Sequence, residues 1–160
     1  MKAENLRSAW QLLEEAYQCQ MAKDFNMAVR LYQRSIDLHP TAEAYTFLGW
    51  TYHFQGREDD AIAECKKAIR VDPDFGNPYN DIGSYLIEKG KFNEALPWLE
   101  RAIQSRRYNS YHFPYHNMGR IYVAQELYKK ARSCFEKALK LFPGYNPSQE
   151  ALEQLKRKVQ

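Results

Sequence analysis

Four times along this chain a small residue recurs at one phase, and that recurrence constrains the fold more than any other feature. Ala16, Gly49, Gly83 and Gly119 form a first series, and Ala28, Ala61, Ala95 and Ala131 follow it at twelve residues in every case. Seven residues further stand Ser35, Ala68, Ala102 and Ala138, and five beyond those Pro40, Pro73, Arg107 and Pro143. The units succeed one another at steps of 33, 34 and 36 residues. Self-similarity at such a period marks a stack of supersecondary units. Two helices cross closely only where no side chain intervenes, so a small residue held at four phases is a packing requirement and each such site receives a bulky neighbour. Proline, which cannot continue a helix, ends each second helix and starts the next unit.

The best-formed unit runs from Asn77 to Ala102. Tyr79, Ile82, Gly83, Leu86, Gly90, Phe92, Ala95, Leu99 and Ala102 stand there at spacings that build a helix, a tight turn and a second helix. With Tyr45-Leu48-Gly49-Tyr52-Gly56-Ala61-Ala68-Pro73 before it and Tyr115-Met118-Gly119-Tyr122-Tyr128-Ala131-Phe135-Ala138-Pro143 after it, the chain resembles the tetratricopeptide repeat family. A weaker first unit carries Leu12, Ala16, Cys19, Phe25, Ala28, Tyr32, Ser35 and Pro40. The departures are Cys19 in place of an aromatic residue, Arg107 in place of proline, and the uneven step. The resemblance implies an all-α fold, a right-handed α-α superhelix of helix-turn-helix repeats. It forms one domain, with repeats at about 9–41, 42–75, 76–109 and 112–145 and a capping helix at about 147–160.

Local signals refine this. Asn26, Asp59 and Asn93 each precede a packing alanine by two residues and are expected to cap second helices. Pro97 follows Asn93 by four residues and is then expected in a first turn, where a missing N–H costs little. Gly56 and Gly90 fill inter-helix turns and can adopt positive φ. The aromatic and basic segment from Ser105 to His116 reads as a longer turn whose tyrosines pack on neighbouring helices, the alternative being a distinctive loop at the edge of the groove. Gly144 to Pro147 reads as a turn, and Ser148 to Val159 as a final helix with one apolar stripe of Ala151, Leu152, Leu155 and Val159, polar elsewhere, as a terminal cap requires.

Composition excludes several classes. A mean hydropathy of −0.71 and the lack of an apolar run near twenty residues argue against a membrane span. The first residues lack the apolar stretch of a signal peptide. Three cysteines, Cys19, Cys65 and Cys134, are odd in number and widely spaced, so they read as small apolar residues at buried phases, in a reducing and cytoplasmic compartment. Residues 1–80 carry 9 Lys/Arg and 12 Asp/Glu, and residues 81–160 carry 14 and 8. The basic second half is interspersed with glutamate and reads as a solvated face before it reads as a nucleic-acid surface. His112 and His116 stand four apart, but no cysteine or carboxylate joins them at ligand spacing, so no metal site is expected. Asp59-Asp60 and Asp72/Asp74 fit helix starts and repeat junctions better than an acid–base pair. Phosphate loops and nucleophile elbows are absent, and neither catalysis nor a cofactor is expected.

In the family that the chain resembles, first helices line a groove that holds segments of other proteins. The corresponding residues here are Trp10, Leu13, Tyr17 and Met21; Glu43, Thr46, Phe47, Trp50, His53 and Phe54; Asn77, Asn80, Asp81, Ser84 and Glu88; and Phe113, His116, Asn117 and Arg120. Tyr17 and Phe47 are candidates for burial between helices. Trp10, Trp50 and Phe54, if exposed, form an apolar patch that a soluble surface rarely carries without use. Asn77, Asn80, Asp81 and Asn117 form a polar stretch whose amides can both donate to and accept from an extended backbone. The expected function is a non-catalytic scaffold that holds a peptide or helix of another protein, with no small-molecule substrate and no membrane. The alternatives are self-association through the same surface, or a nucleic-acid-associated adaptor using the basic half. Relatives that grip the Glu-Glu-Val-Asp tail of chaperones use lysine, asparagine and arginine on three successive first helices. Neither run of three repeats here supplies those cations.

Overall fold

The computed structural model describes residues 1–159, the side chain of Val159 excepted. Among the described residues run nine helices and no strand: α1 (Lys2–Met21), α2 (Phe25–Leu38), α3 (Ala42–Phe54), α4 (Glu58–Val71), α5 (Asn77–Glu88), α6 (Phe92–Gln104), α7 (His112–Ala124), α8 (Tyr128–Leu141) and α9 (Asn146–Val159). Four hairpins, α1/α2, α3/α4, α5/α6 and α7/α8, stack in order. Each second helix also packs on the first helix of the next hairpin, and α9 packs on α8. Because α1, α3, α5 and α7 touch in series, first helices make up one continuous face of the superhelix.

The small residues do what their spacing demands. A Cβ built on Gly83 would lie 2.3 Å from Leu99 Cδ2, and one on Gly119 would lie 2.4 Å from Phe135 Cε1. On Gly49 it would meet the Ala61 carbonyl at 2.9 Å and Cys65 Sγ at 3.3 Å. Tyr32, Cys65, Leu99 and Phe135 are thus the bulky residues at one phase of the second helices, all buried. Cys65 is fully buried as expected, whereas Cys19 and Cys134 are half-buried, and all three are free thiols.

The turns set the helix starts, and here the expectations need correction. Lys23, Gly56, Gly90 and Glu126 all take positive φ, between 59° and 75°. The residue after each one is the N-cap: Asp24, Arg57, Lys91 and Leu127. Asn26, Asp59 and Asn93 fall one step inside their helices instead. Of the four caps only Asp24 caps with its side chain, accepting from the Met27 N–H at 3.2 Å. A polar cap is worth about 1 kcal/mol, less than the helix crossing that fixes the turn register. The same shift places Pro97 inside α6, past its first turn. Proline there removes one internal hydrogen bond, and it stands on the exposed side, where water can take up the freed carbonyl. Likewise α9 begins at Asn146 with Pro147 in its first turn, two residues before the expected start. Leu155 is buried and Ala151 and Leu152 pack beside it. The Val159 side chain and Gln160 lie outside the described residues.

The segment between α6 and α7 packs as a turn. The Tyr108 ring lies so close to Gly76 that a Cβ there would be 2.4 Å from Tyr108 Cγ. The Tyr111 hydroxyl donates to the Ser105 carbonyl at 2.6 Å. Arg107 exchanges backbone bonds with the α4–α5 connection, donating to Asp74 O at 2.9 Å and accepting from Gly76 N at 3.2 Å. Its guanidinium bonds Asp72 at 2.8 Å and Glu43 at 2.6 Å and lies 4.2 Å over the Phe75 ring. The residue that departs from proline therefore ties the third repeat to both ends of the second.

Candidate functional site

Two pockets lie along the face of first helices, and α3 contributes to both. The first, of about 690 Å³, is lined by Ala3, Leu6, Arg7, Trp10, Gln11, Leu13, Glu14 and Tyr17 of α1 and by Phe47 of α3. Its aromatic floor is built by packing: the Tyr17 and Phe47 rings are 5.8 Å apart, and Phe47 is 6.2 Å from the buried Tyr32. Trp10 remains 42% exposed at the rim, whereas Leu13 is buried and belongs to the core as well as to the pocket wall.

The second pocket, of about 480 Å³, is polar. Trp50 of α3, Asn77, Asn80, Asp81 and Ser84 of α5, and Phe113, His116, Asn117 and Arg120 of α7 line it, together with Tyr108, Ser110, Tyr145 and Pro147. Helical spacing puts Asn77, Asp81 and Ser84 on one side of α5, and Phe113, Asn117 and Arg120 on one side of α7. Asn80 and Asn117, expected as free amides, are both buried, and Asn117 Nδ2 donates to Asn80 Oδ1 at 3.0 Å. Arg120 donates to Asn117 Oδ1 at 3.2 Å and to Glu88 Oε1 at 2.8 Å. The asparagine pair thus joins α5 to α7 before it can serve a ligand.

Burial perturbs four ionisable groups in this pocket: it raises the Tyr108 and Tyr145 hydroxyls and shifts Asp81 and His116. Asp81 keeps some accessible surface, but protein atoms crowd its carboxyl closely enough that lost hydration raises its pKa to about 7. Desolvation, with smaller contributions from the nearby Arg120 and His112 charges, lowers His116 to about 4, so the imidazole is neutral at pH 7. His116 Nδ1 is 2.9 Å from the hydroxyl of the fully buried Ser148. That contact has the distance of a nucleophile–base pair, yet a buried hydroxyl reaches no substrate, and Asp81 hydrogen-bonds to neither residue. It joins α7 to α9.

Of the residues placed in the groove by sequence, Met21, Glu43, Thr46, His53, Phe54 and Glu88 line neither pocket. His53 lies 2.8 Å from Glu58 and stacks on Tyr85 with ring centroids 4.8 Å apart. Phe54 contacts Trp50 at 5.3 Å, as their spacing of four residues requires, but it also stacks on Phe25 at 5.6 Å and stays 49% exposed. Conversely, sequence reasoning missed Tyr108 and Tyr145. Gly76, a glycine with no turn to make, was the available signal for Tyr108. For Tyr145 the signal was its place beside the cap, where its ring meets those of Phe113 and His116 at 5.6 and 5.3 Å.

Comparison with known proteins places this architecture. Two family models, both described as tetratricopeptide repeat, match residues 42–75 and 74–144. The chain belongs to the tetratricopeptide repeat family. It is 32% identical over 103 residues to the small glutamine-rich tetratricopeptide repeat-containing protein 2 of Mycosarcoma maydis, which covers 63% of this chain and 29% of that protein. Among solved structures it superimposes on Pseudomonas aeruginosa pilF with a TM-score of 0.91 at 19% identity, over 98% of this chain and 71% of that one. It also superimposes on the first TPR of Spaghetti (RPAP3) bound to the HSP90 peptide SRMEEVD, with a TM-score of 0.68 at 24% identity, over 74% and 93%. The chain spans less than a third of the length of the curated relatives it matches first, 29%, 20% and 18%. No helix of the described residues is long and apolar enough to cross a membrane. No group of three or more His, Cys, Asp or Glu among them could hold a metal ion.

Proposed function

We propose that this chain is a non-catalytic interaction module whose face of first helices holds an extended segment of another protein, an apolar side chain entering the first pocket and polar groups meeting the second. The observation that carries this is the adjacency of the pockets across α3, with Phe47 in one and Trp50 one turn on in the other. An extended segment has free backbone donors and acceptors, which Asn77 and Ser84 can meet; a bound helix has already spent its own. The relative whose structure carries an HSP90 peptide supports a protein partner.

The test uses peptides selected from a displayed random library, with affinity read by fluorescence anisotropy. Truncating a buried aromatic anchor typically costs about 2 kcal/mol or more, roughly thirtyfold in affinity. Trp10→Ala and Trp50→Ala are expected to lose that much while melting within a few degrees of the parent. Lys137→Ala, on the exposed side of α8, should bind normally. Asn80→Ala is not a clean probe, since it also breaks the bond to Asn117. Peptides indifferent to both tryptophans would overturn the reading. A second copy is the competing occupant of the apolar pocket, and concentration-dependent mass in light scattering that Trp10→Ala abolishes would favour it.

A further inference from the structure

The polar pocket holds a carboxylate that the chain itself leaves without a counter-ion. Asp81 takes part in no ion pair and no side-chain hydrogen bond among the described residues. Arg120, the cation of the pocket wall, is held by Asn117 and Glu88, and His116 is neutral and turned to Ser148. Four aromatic residues from four separate segments line the same pocket: Trp50, Tyr108, Phe113 and Tyr145. Aromatic faces attract ammonium and guanidinium groups, and a partly desolvated carboxylate strengthens that attraction. An acidic side chain would be repelled there, and an apolar one would bury the carboxylate unpaired, which is costly.

We propose that this pocket receives a lysine or arginine side chain of the bound segment, with Asp81 as its counter-ion and the aromatic rings along its stem. The inference rests on the groove being a peptide site and specifies what the peptide must carry. A volume of about 480 Å³ lies within the range of ligand pockets, roughly 300–1,000 Å³.

The raised carboxyl adds a pH signature. The groups around Asp81 are His116 and Arg120 from α7, Tyr108 from the α6–α7 connection, Tyr145 from the α8–α9 connection, Cys65 from α4, and Tyr85 on its own helix, with the His53–Glu58 pair of α3 and α4 behind Tyr85. His116 stays neutral between pH 6 and 8, and burial pushes the Tyr85, Tyr108 and Cys65 groups well up. Asp81, at about 7, changes charge across that window, and comparison with Asp81→Asn isolates its effect.

A random dodecapeptide library displayed on phage, selected against the full chain and against Asp81→Asn, tests this. Peptides selected on the parent should carry lysine or arginine at a fixed distance from a bulky apolar residue. Replacing that basic residue by norleucine, or Asp81 by asparagine, should each weaken binding about tenfold or more. Affinity should fall about tenfold from pH 8 to pH 6 in the parent and stay level in Asp81→Asn. Selected peptides that depend on Trp10 and Trp50 but show no basic preference, or tolerate norleucine, would sink this inference and leave the groove reading standing. Selected peptides indifferent to both tryptophans, or a library yielding no binder, would sink both.

Discussion

Asp81 and His116 share a pocket, and their environments push them in opposite senses of stability. Asp81 has its carboxyl raised to about 7 in the fold, so folding is favoured by this group at low pH and that contribution is lost as pH rises through 7. His116 is lowered to about 4, so its contribution is present above about 6.5 and is lost as pH falls toward 4. Between pH 7 and 5 the two oppose each other. Asp81→Asn removes one of them: calorimetry should find this variant melting higher than the parent at pH 8, with the gap narrowing as pH falls below 7 and closing only near pH 4. A variant that melts no higher at pH 8 would mean that the ionised carboxylate is well solvated. Stability surrendered at one carboxylate is a common mark of a binding site. None of this was legible in the sequence, where Asp81 was one polar residue in a stretch of asparagines. The residues that crowd it come largely from α4, α7 and the α6–α7 connection, far from it in sequence. Gly83 and Gly119 were legible, because the need for a missing side chain repeats with the period while its cause, Leu99 or Phe135, follows sixteen residues later.

Among the elements, hairpins were readable and their ends were not. Apolar periodicity fixes which face of a helix is buried, but the first residue of a helix depends on the left-handed residue before it, and Lys23 and Glu126 carry positive φ without being glycine. The α6–α7 connection shows the same division: its aromatic packing was expected, whereas the reach of Arg107 to Asp72 and Glu43 joins residues 35 and 64 positions apart, which no local pattern encodes. The terminal helix carries its own prediction. α9 covers Phe135, Tyr122 and Tyr128 through Leu155, Ala151 and Leu152, and buries Ser148 against His116. Terminal repeats depend on a cap because each repeat is stabilised mainly by its neighbours. Ending the chain after Tyr145 loses the fully packed Leu155, worth about 2–5 kcal/mol by itself. Denaturant titration should find the α7/α8 hairpin opening before the rest, with loss of hydrogen-exchange protection confined to it. Unchanged protection of α7 and α8 would show that α9 is no cap.

At the scale of the whole molecule, the charge of the groove decides which peptides it can accept. The formal net charge is +3, yet the face of first helices does not share that sign. α8 carries Lys129, Lys130, Arg132, Lys137 and Lys140, all exposed, on a second helix and away from the pockets. On the pocket walls the cations are Arg7 at the apolar end and Arg120 in the polar pocket, and the latter is neutralised by Glu88. Gripping a Glu-Glu-Val-Asp tail takes lysine, asparagine and arginine on three successive first helices. Here those places offer Leu13 and Tyr17, then Phe47, then Asn77 and Asp81; one repeat on they offer Thr46 and Trp50, then Asp81, then Phe113 and Asn117. Leu13 and Thr46 are buried, and Asp81 would face the terminal carboxylate with a like charge. The peptide SRMEEVD, which the structurally similar TPR domain of RPAP3 binds, is therefore expected to show no micromolar affinity for this chain in titration calorimetry. Lowering the pH to 6 would neutralise Asp81 and remove the repulsion without supplying the missing cations, so affinity should stay negligible there too. Micromolar binding at pH 7.5 would show that Arg7, Arg120 or a rearranged wall does the work of the absent lysines, and would overturn both this exclusion and the assignment of the polar pocket to a basic side chain.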